Sequence, residues 1–132
     1  MPVAYQIDQG RKLIRTTCSG IVTIEEVIGH FRQLEHDPEC PDRLDVLLDL
    51  SEQRTVPSAE NLRAMIGEIS RIRMKVQFQW CAIVACSDVL FGMLRMFEVF
   101  AEDYFQRTRV FRDKNEAEEW LSAQRPTVSI AR

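Results

Sequence analysis

The sequence predicts a single mixed α/β domain, with a mostly parallel sheet led by an N-terminal antiparallel hairpin, in the order β-β-α-β-α-β-α-β-α. Three observations predict it. Two short runs separated by a turn open the chain. Two nearly continuous apolar runs, over 44–50 and 80–86, suit strands covered on both faces. Amphipathic helical stretches alternate with the strands, which implies right-handed crossovers and parallel pairing.

Residues 3–8 read as a strand, Gln9 and Gly10 as a turn, and 13–18 as the hairpin partner, closed by Ser19 and Gly20. Thr23 to Glu26 is a capping box, in which the threonine hydroxyl and the glutamate carboxylate satisfy early helical amides. The helix it opens aligns Ile24, Val27, Ile28, Phe31 and Leu34 on one face. Asp37 and Pro38 end it, and Cys40 to Asp42 continue the loop. Residues 44–50 form a central strand interrupted by Asp45 and closed by Asp49, and 51–57 are polar and loop-like. Ser58 caps a second helix with an inward stripe of Leu62, Met65, Ile66, Ile69 and Ile72 and an outward face of Arg63, Glu68, Arg71 and Lys75. Residues 80–86 are a buried strand, and Ser87 and Asp88 cap a third helix reaching about Tyr104. A short strand follows over 109–112. Asp113 to Glu116 repeat a capping pattern before a last helix anchored by Ala117, Trp120 and Leu121. The domain spans 1–132, with the tail from about 125 expected to be flexible.

Composition narrows the function classes. At 132 residues the chain is long enough for an unaided core. A net charge of −3 lacks the basic excess that nucleic-acid binding calls for. The N-terminus has no secretory pattern, and no apolar run approaches the roughly 20 residues that span a bilayer. Cytoplasm is therefore the expected compartment, and Cys18, Cys40, Cys81 and Cys86 read as free thiols.

Catalytic and metal chemistry find no constellation. His30 sits at the edge of the first helix's apolar face and His36 near its C-terminal end, where a protonated ring favours the helix dipole. Cys81 and Cys86, five apart on one predicted strand, point to opposite faces and cannot share a metal. The five glycines are scattered, so no phosphate loop forms. Glu25 with Glu26, and Glu118 with Glu119, are adjacent on helices and face apart. The expectation is a protein that is not an enzyme and needs no cofactor or metal.

The third helix carries more apolar surface than one sheet requires. Arg95, Glu98 and Glu102 form its polar stripe, and the apolar arc spans about 220° against the roughly 100° that packing on a sheet uses. Three explanations stand: neighbouring segments cover the excess; it forms a homodimer contact through Met96, Val99 and Phe100; or it lines a pocket for an apolar ligand through Met93, Met96, Phe97 and Phe100. A second candidate surface lies beyond the carboxyl ends of the parallel strands, where open α/β sheets bind ligands. Asp49, Ser51 and Arg54 follow one strand and Ser87 and Asp88 the next. Ser58, Ser87 and the adjacent amides suit an anion, unless both serines are only caps. Arg95 lies one turn beyond Phe91 and is placed to stack on it.

The order and spacing of several segments resemble the STAS fold, in its SpoIIAA-like branch of small bacterial proteins. They are Leu47 to Leu50 before the second helix, the strand Cys81 to Ala85, the run Phe91 to Phe97, and Val110 to Asp113 leading into Ala117 to Leu121. The resemblance covers nearly the whole chain and implies a regulatory or protein-interaction module. Domains of the anti-sigma antagonist type in this fold carry a phosphorylatable serine at the start of the second helix. Ser58 is the matching residue, but the family's preceding aspartate and following Gly-Leu-Gly are absent. The branch is also similar to CRAL-TRIO domains, which hold lipids in an apolar cavity, and this implies a carrier or sensor of a small apolar ligand as the alternative.

Overall fold

A computed structural model describes residues 2–124. Strands β1 (Val3–Asp8), β2 (Leu13–Gly20), β3 (Arg43–Gln53), β4 (Gln77–Val84) and β5 (Arg107–Phe111) alternate with helices α1 (Ile24–Glu35), α2 (Ala59–Arg71), α3 (Asp88–Phe100) and α4 (Lys114–Gln124) after the opening hairpin. The five strands lie in the order β1-β2-β3-β4-β5. Only β1 and β2 are antiparallel; β2 to β5 run parallel.

Topology follows from handedness. Three right-handed crossovers that each step one strand in the same direction must lay their helices on the same face. So α1, α2 and α3 share one face, where Ile14, Leu34, Leu44, Leu62, Ile69, Ile83 and Leu94 form the larger core cluster. The α4 helix follows the last strand and folds beneath, packing Ala117 and Leu121 on Leu13, Leu47, Ala82, Val84 and Phe111. Trp120 closes this smaller layer edge-on to Trp80. Both central strands are thereby covered on two faces, as their apolar runs require.

Caps fix the helix starts. Thr23 and Glu26 close both halves of the capping box, Ser58 accepts from the amide of Asn61, Ser87 from that of Leu90, and Asp113 from that of Glu116. Strand and helix ends differ more from expectation. The polar stretch after Asp49 is not a loop from Ser51: β3 runs on to Gln53, because Glu52 and Gln53 pair with Ser19 and Gly20 and backbone pairing does not need apolar side chains. Gly20, at φ 68°, takes the left-handed conformation that favours glycine. Its carbonyl accepts from the Arg54 amide.

Strand β4 starts earlier and ends at Val84, leaving Cys86 beyond it and exposed. The α3 helix ends at Phe100, four residues short of Tyr104. Ala101 caps it at 0% exposure, and burying Ala101 and Phe105 turns the chain back toward β5. Strand β5 occupies 107–111, not 109–112. The expectation for the tail from about 125 falls outside the described residues.

One irregularity explains a buried charge. Between Leu44 and Val46 on β3, the partner strand advances from Phe78 to Cys81, so β4 holds one extra residue. The bulge takes the Trp80 amide out of the ladder, and the carboxylate of Asp45 receives it at 3.2 Å. The aspartate that interrupts the apolar run is the bulge's acceptor.

Candidate functional site

Under α1 and α2 the core is not full. A cavity of about 140 Å3 lies between these helices and the sheet. Its floor comes from the inward positions of β2 (Ile14, Thr16, Cys18), β3 (Val46, Leu48, Leu50) and β4 (Phe78, Cys81, Ile83). Its roof is Val27, His30, Phe31 and Leu34 of α1 with Met65 and Ile69 of α2, and Leu94, Phe97 and Phe105 close the far side. Local sequence sets the space: Thr16 and Cys18 are short where neighbouring β3 presents Leu48 and Leu50. An ion-pair chain holds the helices together at their C-terminal ends, with Arg71 bridging Glu35 at 2.8 Å and Glu68 at 3.0 Å. The mouth lies at the opposite end, between the start of α1 (Val22, Thr23) and the segment after β3 (Thr55, Val56, Pro57). That is the carboxyl end of β2 and β3, where a parallel sheet leaves room for ligands.

The lining holds no Asp, Glu, Lys or Arg. Three of its polar side chains are already engaged. Thr23 serves the capping box, Thr55 exchanges two hydrogen bonds of 3.1 Å with the Val22 backbone, and Gln53 donates to the Thr55 carbonyl at 2.9 Å. His30 differs. Its ring packs against Tyr5 and Phe31, with centroids 5.2 and 5.4 Å away, and its Nδ1 is shut off from solvent with no hydrogen-bond partner. Desolvation lowers the imidazole from 6.5 to about 4, so the ring is neutral at pH 7. A buried polar atom left without a partner costs about 1–3 kcal/mol. Nearby, Tyr5 donates to Asp37 at 2.5 Å. That hydroxyl, with the Glu39 amide, holds the Asp37 carboxylate below its usual range.

Reactive chemistry is suppressed here. Burial pushes the Cys18 thiol up to about 12, helped by the charge of Asp49, and burial raises Cys81 likewise. Neither provides a thiolate at neutral pH. No cluster of metal-ligating side chains forms among the described residues.

The residues singled out in the sequence separate into groups. Arg54 and Ser58 adjoin the cavity mouth, both exposed. Asp49 and Ser51 lie on the opposite face of the sheet: Asp49 takes the Ser51 hydroxyl at 2.6 Å and approaches Lys114 of α4 at 3.9 Å. Ser87 caps α3, and Asp88 pairs with Arg112 at 2.7 Å. Arg95 does not stack on Phe91. It pairs with Glu98 at 3.2 Å, and Arg112 covers the Phe91 ring at 4.4 Å, because its position at the end of β5 brings it over that face.

Of the apolar residues on α3, Leu94 and Phe97 reach the cavity, whereas Met93, Met96 and Phe100 do not line it. Met93 and Phe100 pack against the core, with Arg63 over the Phe100 ring at 5.1 Å. Met96 and Val99 stay exposed, at 40% and 61%. So the wide apolar arc is covered over part of its width and bare along Val89, Met96 and Val99. Sequence reasoning missed the cavity and the part His30 plays in it. The one signal was a histidine bordering an apolar stripe opposite short strand residues.

No curated protein matches the chain. A solved structure of an uncharacterised protein with a SpoIIAA-like fold, from Shewanella loihica PV-4, is similar at a TM-score of 0.57 and 15% identity, covering 90% of this chain and 91% of that one. No helix among the described residues is long and apolar enough to cross a membrane. The SpoIIAA-like family model matches residues 13–122, from the second hairpin strand through α4, and the chain therefore belongs to the SpoIIAA-like family.

Proposed function

We propose that this protein is a non-enzymatic binding module that holds a small apolar molecule between α1, α2 and the sheet. The cavity carries the reading: its size is close to that of dry cavities of about 150 Å3 that take up benzene or xenon, and its lining bears no charged side chain. Toluene titrated into methyl-labelled protein tests it. The methyl resonances of Ile14, Leu48 and Ile83 are expected to shift saturably, and Val27→Phe, which fills the space, is expected to abolish the effect. Absence of any saturable shift in the native protein ends this reading.

A regulatory module acting through protein contacts is the second reading, and the surface of α3 favours it. Val89, Gly92, Met96 and Val99 recur at helical spacing on the exposed side of that helix. A stripe of this kind suits a second copy of the chain or a partner helix. Light scattering at micromolar concentration distinguishes them: a dimer that Met96→Glu converts to monomer supports self-association, and a monomer in both excludes it. Arg54 and Ser58, beside the cavity mouth, would then couple occupancy to a partner. Phosphate incorporation at Ser58, lost in Ser58→Ala, is the corresponding test.

A further inference from the structure

We infer that the molecule held in the cavity is uncharged, is about the size of one substituted aromatic ring, and carries a hydroxyl group that hydrogen-bonds to His30 Nδ1. This inference rests on the binding function proposed above. Size follows from the volume of about 140 Å3. Absence of charge follows from the lining: a buried carboxylate or ammonium would meet no opposite charge among the residues around it.

The hydroxyl follows from accounting for polar atoms. The Thr23 hydroxyl is engaged with the Glu26 carboxylate, the Gln53 amide with the Thr55 carbonyl and the Thr55 hydroxyl with the Val22 carbonyl, whereas His30 Nδ1 is buried and unpartnered. A neutral imidazole presents one donor and one acceptor nitrogen, and its tautomer decides which is which. A hydroxyl can donate or accept, so it satisfies Nδ1 in either tautomer. A carbonyl serves only one of them, and a pure hydrocarbon leaves the atom orphaned.

The experiment compares phenol, toluene and benzoate on the native protein and on His30→Phe, using the methyl shifts to measure affinity and imidazole 15N shifts to watch the ring. Phenol is expected to lose about five- to tenfold in affinity in His30→Phe, as one hydrogen bond predicts, while toluene changes by less than about twofold. In the native protein the His30 ring nitrogens move with phenol and stay still with toluene, a readout that does not depend on the variant folding. Unmoved ring nitrogens, or equal phenol affinity in both proteins, overturn the anchor while toluene binding leaves the cavity function standing. Benzoate binding more tightly than phenol overturns the uncharged class. Failure of both phenol and toluene to bind overturns the function and the inference together.

Discussion

His30 shows how one side chain records a conflict between packing and solvation. Its ring fills space beside Tyr5 and Phe31, and the same burial opposes its protonation. The consequence for stability has a definite sign. Because the folded value of about 4 lies below the ordinary 6.5, the unfolded chain takes up the proton first as pH falls. Stability contributed by the neutral ring is complete above about 6.5 and is lost as pH falls toward about 4. The expected loss is on the order of 2–3 kcal/mol. Urea unfolding of the native protein and of His30→Phe at pH 7 and pH 4.5 measures it: the native midpoint falls more than the variant's, and parallel falls refute the assignment. Asp37, held low by the Tyr5 hydroxyl, contributes its stability above the usual carboxylate range and loses it below that window.

At the scale of elements, the features with local chemistry were legible in the sequence. Thr23 with Glu26, Ser58, Ser87 and Asp113 each mark a helix start that the structure shows, because a cap is a contact over three residues. Ends governed by distant partners were not legible. Gln53 is in a strand because Gly20 lies beside it, and α3 stops at Phe100 because Ala101 and Phe105 must reach the core. Asp45 belongs to the same class, since nothing local says that β4 will bulge opposite it. Removing its carboxylate strands a buried amide, so Asp45→Ala is expected to cost about 2–3 kcal/mol, and Asp45→Asn, which keeps an acceptor oxygen, less than half of that. Guanidinium titrations of the three proteins check the order. Equal losses from both substitutions would show that the amide of Trp80 does not depend on this oxygen.

For the molecule as a whole, alternation of strands and helices dictated the topology, and the layer arrangement followed from the handedness of three consecutive crossovers. The candidate site was not legible in the same way. A void is a difference between the volume that three elements enclose and the volume their side chains fill, and Thr16, Cys18 and Val27 carry no mark of that difference in the chain. The exposed end of the site was partly foreseen, in Arg54 and Ser58, because the carboxyl end of a parallel sheet is a fixed place in the topology. Met96 and Val99, singled out on hydrophobicity as a contact surface, lie exposed on α3.

The hollow under α1 also bears on mechanical softness. Unfolding under compression is favoured by the internal void volume it eliminates, so this small domain is expected to denature at lower hydrostatic pressure than its size suggests. Intrinsic fluorescence of Trp80 and Trp120, which sit in the other layer, can follow the transition under pressure. Saturating toluene, or the filled variant Val27→Phe, is expected to raise the midpoint by shrinking the volume change. A midpoint indifferent to both would mean that the space is already taken up in solution, and the protein would then behave under compression as a solid body.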